Sequence, residues 1–328
     1  MKMKTLGSTG VQVSELCFGT MSFGGDADEE MSGKLYKRCR DAGINFFDCA
    51  NIYVGGRSEE ILGKLMAGER QDLVITSKVY FPAGKDVNAR GASRRHILLE
   101  VEKSLKRLQT DWVDVYFIHH FDELTPLEET MRVLDDLVRQ GKILYPALSN
   151  HAAWQIMKAQ GIAALESLAK VAVIQPMYNL VKRQAEVEIL PMALSEGIAV
   201  IPYSPLGGGL LTGKYGLDKS KATGRLVQNK MYDVRYGEEW MFQSAVDFAK
   251  LAFDSGYDAA ALAVAWVGAH PAVMAPIIGA RNLTQLEGSL KSVDIDMTRE
   301  LYQSIAALTP DPAIATDRSE ERKGSDWY

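Results

Sequence analysis

Four residues have the types and spacing for joint acid–base chemistry: Asp48 and Tyr53 in "FFDCANIYVGG", Lys78 in "ITSKVYF" and His119 in "YFIHHFD". Each sits at or just past the end of an apolar run. A lysine inside an apolar strand is rare unless an anion meets it. Asp48, at the end of the preceding apolar run, is the obvious anion. A buried Asp–Lys pair beside a phenol should favour the phenolate and lower the tyrosine's pKa from about 10. A phenol so tuned can protonate a carbonyl oxygen as that oxygen gains negative charge. His119 can donate a hydrogen bond to the same oxygen. None of the four reduces anything, so a hydride would have to come from a cofactor. Singly, each residue has a plainer reading: Asp48 as a turn cap, Tyr53 as packing, Lys78 as a snorkelling surface side chain. His119, His120 and Asp122 could suggest a metal site, but the only other soft ligand nearby is Cys49. As the neighbour of Asp48, Cys49 should face the other side of its strand. Joint occurrence at three consecutive strand ends is what favours chemistry.

Strand and helix patterns alternate along the chain in a way that can position such a set. "MKTL" and "VQVSEL" flank "GSTG" and predict a β-hairpin. Eight apolar strands are then expected, at "ELCFGTMSF", "NFFDCA", "DLVITSKVYF", "DVYFIHH", "ILYPALSN", "VAVIQPMYN", "IAVIPYSPL" and "APIIGA". Helices between them are read from 3.6-residue periodicity, as in "SRRHILLEVEKSLKRLQ". Ser58 is expected to cap the helix "SEEILGKLM". Val- and Ile-rich strands, each followed by a helix, predict parallel pairing and a (β/α)8 TIM barrel. A doubly wound sheet fits less well, because "FGTMSFGG" after the first barrel strand is not a G-x-G-x-x-G fingerprint. A long polar loop, "GGGLLTGKYGLDKSKATGRLVQNKMYDVRYG", follows the seventh strand, and "EEWMFQSAVDFAKLAFDSG" adds a helix. One domain over residues 1–328 is expected, ending in a polar tail at 309–328.

Composition narrows the classes further. The chain has 328 residues, 47% hydrophobic and 24% charged, with formal net charge −5 and pI near 5.7. That balance gives no sign of a nucleic-acid groove. No apolar run is long enough for a membrane span, and the opening residues lack the apolar core of a secretory signal. Three scattered cysteines, Cys17, Cys39 and Cys49, make neither a metal spacing nor a disulfide framework. A cytoplasmic setting is expected.

In a barrel, the C-terminal strand ends share one mouth. The polar residues there are Asp48, Lys78, His119, Ser149, Asn150, Gln175, Tyr203 and Ser204. With "GINFFDCANIYVGGRSEEILGKLM", "VITSKV", "SLKRLQTDWVDVYFIHHFD", "LSNH", "IQPMYNL", "YSPLGGGLLTGKY" and "PIIGARNLTQL", the chain resembles the aldo-keto reductase superfamily over nearly its whole length. The resemblance implies reduction of a small carbonyl substrate with NADP(H), NAD(H) being possible, and no metal. It implies Tyr53 as general acid, Lys78 as its tuner, Asp48 as the anchor of Lys78, and His119 as the group orienting the carbonyl. Ser149, Asn150 and Gln175 match carboxamide contacts, and Tyr203 the residue stacked on the nicotinamide ring. Ser204, Leu206, Gly208 and Lys214 match the loop closing on the pyrophosphate. Arg281 and Gln285 match positions near the adenosine 2′-phosphate. Gly19, Thr20, Met21, Arg225, Gly279 and Ser289 complete the expected cofactor set. Phe23, Tyr80, Phe81, His120 and Phe121 are expected to wall the substrate pocket. One departure stands out: where the family often has Glu–Asn on the adenine side, this chain has Gly288 and Ser289, with Glu287 one place early. Other readings remain at this stage: a regulatory nucleotide-binding protein like potassium-channel β subunits, a sugar or alcohol dehydrogenase, or a barrel enzyme that holds a phosphorylated substrate in the strand-seven loop.

Overall fold

The computed structural model describes residues 1–215, 226 and 230–317. Strands β1 (Met3–Thr5) and β2 (Gln12–Ser14) pair antiparallel as the expected hairpin. Eight parallel strands then follow: β3 (Cys17–Gly19), β4 (Phe46–Asp48), β5 (Val74–Val79), β6 (Val113–Ile118), β7 (Ile143–Ser149), β8 (Val173–Gln175), β9 (Ala199–Val200) and β10 (Ile277–Ile278). Their spatial order is β10-β3-β4-β5-β6-β7-β8-β9. The gap between the last and first is bridged by Met274 N donating to Val200 O (2.8 Å) and Ile277 N donating to Pro202 O (2.9 Å). The sheet thus curls into the expected (β/α)8 barrel.

Strand alternation splits the core into two layers. Cys17, Phe46, Val74, Val115, Phe117, Ala147, Val173, Ala199 and Ile277 pack together inside the ring, joined by Leu6 and Val13 of the hairpin. Their neighbours, such as Phe18, Phe47, Ile75, Tyr116, Leu148 and Ile174, pack outward against the helices. Counting two residues on from the inward set at each strand gives Asp48, Thr76 with Lys78, His119, Ser149, Gln175 and Tyr203. The period of the strand therefore carries the polar residues of the mouth onto the inner face.

The flanking helices are α1 (Glu29–Asp41), α2 (Arg57–Leu65), α3 (Arg94–Leu108), α4 (Leu127–Arg139), α5 (Ala153–Glu166) and α6 (Ile189–Glu196). After β9 come α7 (Lys230–Tyr236), α8 (Glu239–Asp254) and α9 (Ala259–Ala269). Helices α10 (Leu283–Leu290) and α11 (Arg299–Ala306) follow β10. Asp28, Ser93, Asp258, Asn282 and Thr298 cap α1, α3, α9, α10 and α11 through their side chains. Ser58 does not cap α2. That position falls to Gly56, in the left-handed region, and Ser58 lies within the helix, its hydroxyl donating to Thr20 O at 2.7 Å. The Tyr53 loop brings the chain into α2 through a tight turn, which moves the cap from the expected Ser58 to Gly56, two residues earlier. The polar stretch after β9 contains a short 3-10 turn at Gly207–Thr212 and helix α7, neither apparent from periodicity. Among the described residues, no helix is long and apolar enough to cross a membrane.

Candidate active site

Asp48 and Lys78 meet inside the barrel mouth. Lys78 Nζ donates to Asp48 Oδ2 at 2.7 Å, to the Cys49 carbonyl at 2.7 Å and to Tyr53 Oη at 3.1 Å. An ammonium has three N–H donors and no acceptor, so all three are spent. The geometry has a directional consequence. Tyr53 Oη must accept from Lys78, which leaves its own proton to point elsewhere. Asp48 is held as tightly: its Oδ1 accepts from Thr76 Oγ1 at 2.7 Å and from Gln175 Nε2 at 2.9 Å. Lys78 is fully buried and Asp48 nearly so.

Electrostatics correct one expectation. Burial pushes the Tyr53 phenol up to about 12; Lys78 pulls it back and Asp48 adds to the rise. Desolvation thus outweighs the ammonium, and Tyr53 is not lowered below its ordinary value. Burial also pulls Lys78 down, but Asp48 and Tyr53 together outweigh that and hold it above its usual value. Burial, then Lys78 and His120, hold His119 well below the usual imidazole range. At neutral pH the site therefore presents a neutral phenol, an ammonium and a neutral imidazole. His119 Nδ1 is buried and has no hydrogen-bond partner.

Tyr53 reaches this place through a strained turn. Val54 has φ 49° and ψ 42°, followed by Gly55 at φ 62° and Gly56 at φ 94°. A β-branched residue in the left-handed region is a conformational outlier that neighbouring contacts must enforce. Gly56 is confined as well, since a Cβ there would come within 2.9 Å of Arg107 Cδ. Behind the turn, fully buried Glu59 accepts from Ser77 Oγ at 2.5 Å and from Arg107 Nε at 2.6 Å. This fastens α2 to the outer face of β5, beside Lys78. Cys49 also faces outward, its Sγ 3.3 Å from Ser58 Oγ.

A family model described as "Aldo/keto reductase family" matches residues 15–310. The chain belongs to the aldo/keto reductase family. Among curated relatives, the Bacillus subtilis (strain 168) protein named "Uncharacterized oxidoreductase YrpG" is 38% identical over 327 residues, covering 96% of this chain and 98% of the relative. A protein of Arabidopsis thaliana named "Probable voltage-gated potassium channel subunit beta" is 36% identical over 328 residues, covering 98% of this chain and 96% of the relative. Versiconal hemiacetal acetate reductase of Aspergillus parasiticus is 33% identical over 332 residues, covering 92% of this chain and 95% of the relative. This aldo/keto reductase is thus a member of an oxidoreductase family that acts on carbonyls.

The residues matched to a nicotinamide form one linked rim. Tyr203 Oη donates to Asn150 Oδ1 at 2.7 Å; Asn150 Nδ2 donates to the His119 carbonyl at 2.9 Å and lies 3.1 Å from Ser149 Oγ, which donates to the Gln175 carbonyl at 2.9 Å. Asn150 and Ser204 sit in the left-handed region, at φ 55° and 59°. Two non-glycine outliers at adjacent rim positions add to the strain at Val54. This rim of amide and hydroxyl groups, with a half-buried tyrosine ring beside it, fits a planar ring bearing a carboxamide. Across the mouth, Gly19 and the exposed Gly279 leave backbone bare where β3 and β10 end. Thr20 is buried, bonded to the Asp48 carbonyl, while Met21 is exposed.

The phosphate side is less complete. Gly208 has φ 67°, and a Cβ there would come within 2.7 Å of Tyr232 Cδ1, so packing under α7 by itself demands glycine. Leu206 is partly buried, and Lys214 lies just past the turn, its Nζ 3.1 Å from where a Gly209 Cβ would be. Arg225 lies outside the described residues. Arg281 Nε pairs with Asp26 at 2.9 Å, and its backbone N–H donates to Gln285 Oε1 at 3.0 Å. Ser289 is buried, its hydroxyl without a partner, and Glu287 is bound by Arg38 in a two-point ion pair.

Of the expected substrate wall, Tyr80, Phe81, His120 and Phe121 gather at the mouth. Phe81 lies edge-on to His119 at 4.9 Å between centroids, and Tyr80 is 5.3 Å from His120. Phe121 continues the wall to Trp154 at 6.1 Å. Phe23 does not belong to it. It is fully buried against Phe18, because the loop after β3 folds back on itself and carries the ring into the core. Sequence reasoning missed Thr76, although the signal was there: two residues before Lys78, it must share the inner face.

Proposed function

We propose that this aldo/keto reductase reduces an aldehyde or ketone, with Tyr53 as general acid and NADP(H) as the preferred nucleotide. The observation that carries the reading is the saturation of Lys78. Its third donor goes to Tyr53 Oη, so the phenolic proton is free to face a bound carbonyl. A reduced nicotinamide nucleotide, held by Ser149, Asn150, Gln175 and Tyr203, would supply the hydride. Tyr53 gives its proton to the carbonyl oxygen as negative charge grows there. Lys78, already within hydrogen-bond distance, stabilises the phenolate left behind, and Asp48 keeps Lys78 charged and in place. His119, neutral at working pH, steadies the same oxygen by hydrogen bonding. The reverse sequence oxidises an alcohol. Aromatic side chains at the mouth suit an apolar carbonyl compound.

The test is Tyr53→Phe. A positioned general acid contributes about 10²- to 10⁴-fold, so kcat should fall by that order while the nucleotide dissociation constant, read by fluorescence quenching, holds. Undiminished turnover would remove Tyr53 from this role. Two plant relatives named as potassium channel β subunits, at 36% and 35% identity, favour a second reading as a nucleotide-binding regulatory protein. Tight nucleotide binding with negligible turnover across a broad carbonyl panel would select it.

A further inference from the structure

The loop between β3 and α1 is a fixed structure. Phe23 N donates to Thr20 O, Gly25 N and Ala27 N both donate to Ser22 O, and Gly24 N donates to Ala27 O. Phe23 is sunk in the core beneath it. Ser22 Oγ donates to the Ala280 carbonyl at 2.7 Å, which ties the loop to the exit of β10. A Cβ on Gly25 would come within 3.1 Å of Val54 Cγ2, so the same loop also rests on the Tyr53 turn. It therefore spans the seam where the first and last barrel strands meet. At its tip Asp26 reaches Arg281 at 2.9 Å.

We propose that Asp26 is a specificity-determining residue: a carboxylate built into the β3–α1 loop that competes with the nucleotide 2′-phosphate for the Arg281 guanidinium and narrows the preference for NADPH over NADH. This rests on the reading above that Arg281 meets the 2′-phosphate. A phosphate approaching Arg281 meets one of two situations. Either Asp26 is displaced and the ion pair is lost, or both anions share one guanidinium and repel each other. Each weakens the phosphorylated nucleotide and leaves the unphosphorylated one untouched. Because the loop is anchored at Ser22 and Phe23, the backbone that carries Asp26 stays near Arg281 in either case. The adenine side points the same way: Glu287 is engaged by Arg38 and Ser289 is buried, so discrimination falls more heavily on Arg281.

The pair is partly exposed, the two side chains being 30% and 50% accessible. Its influence is therefore modest and screened by salt. The experiment measures dissociation constants of NADPH and NADH by fluorescence quenching for the parent protein, Asp26→Asn, Arg281→Ala and the double variant. Asp26→Asn should tighten NADPH by about threefold to fivefold at low salt, an effect that shrinks at about 0.5 M salt, while NADH stays put. In the Arg281→Ala background, where there is no guanidinium to compete for, the same change should have a clearly smaller effect on NADPH. If Arg281→Ala weakens NADPH selectively but Asp26→Asn leaves NADPH unchanged, weakens it, or shifts both nucleotides alike, the role of Asp26 is overturned and the phosphate reading survives. If Arg281→Ala affects both nucleotides equally, the phosphate reading itself falls and takes this inference with it.

Discussion

Lys78→Met is the most informative perturbation, because it separates what the ammonium does for the fold from what it does for chemistry. The side chain is fully buried, and its Nζ satisfies Asp48, the Cys49 carbonyl and Tyr53. Removing it leaves the Asp48 carboxylate buried with only Thr76 and Gln175 as donors. Breaking one side of such a pair typically destabilises by about 3–5 kcal/mol. Asp48→Asn should also destabilise, by leaving the buried ammonium with neutral acceptors only. The double variant Lys78→Met with Asp48→Asn removes both charges, so much of the loss should return, giving a coupling of at least about 2 kcal/mol. Activity should not return with it, since Tyr53 lacks the cation that stabilises its phenolate; kcat is expected to stay down by about 10²-fold or more. Urea unfolding followed by tryptophan fluorescence gives the stabilities, and loss of reduced-nicotinamide absorbance gives the rates. Additive stabilities within about 0.5 kcal/mol would refute the buried pair. A stable double variant with full turnover would refute the electrostatic role of Lys78.

Two further outcomes follow from packing and burial. In Gly63→Ala the new methyl would come within 2.5 Å of Arg107 O and 2.7 Å of Leu108 C, both backbone atoms at the end of α3. Overpacking there should destabilise by about 1–3 kcal/mol, read as a lower urea midpoint; a neutral effect would mean the α2–α3 contact yields easily. His151 and His270 are each pulled down to about 4, mainly by burial, and His270 Nδ1 accepts from Ala272 N at 3.2 Å. The unfolded chain binds more protons than the fold between about pH 6.5 and 4, so stability falls as pH drops through that window, by about 2 kcal/mol per histidine at pH 5. Equal urea stability at about pH 7.5 and pH 5 would contradict the buried, neutral state of both rings.

Much of the site was legible because strand alternation is a strong code. Asp48, His119, Ser149, Gln175 and Tyr203 each sit two residues beyond an inward apolar side chain, and Lys78 four beyond Val74, so spacing alone brings them to one face. What escaped was set by desolvation and by loop geometry. The direction of the Tyr53 shift depends on how much protein surrounds the hydroxyl, which a neighbouring lysine in the sequence does not reveal. Phe23 was misassigned because the loop after β3 closes on itself through backbone hydrogen bonds that leave no mark in residue type. Ser58 has the composition of a cap, yet the left-handed run from Val54 to Gly56 moves the helix start. The glycines after β9 suggest a phosphate turn by composition, but the close approach of Tyr232 accounts for Gly208 equally well. Helix α7 lies in a polar stretch whose packing against that turn only the fold displays.

The hairpin at the base of the barrel sets an order of events during synthesis. Leu6 packs among inward residues of the ring, including Ala199 and Ile201. Gly7, at φ 54°, lies so near β9 that a Cβ would sit 2.9 Å from Ala199 N. The floor of the barrel is thus laid by residues near the start of the sequence against a wall made about 190 residues later. At translation rates of roughly 5–20 residues per second, that wall arrives about 10–40 s after the floor. Through that interval Leu6 and Val13 are without their final partners, and the emerging half-barrel has an apolar underside open to chaperones or to another nascent chain. Substitutions that make the hairpin more apolar should therefore lower the yield of folded protein before they change the stability of what has folded.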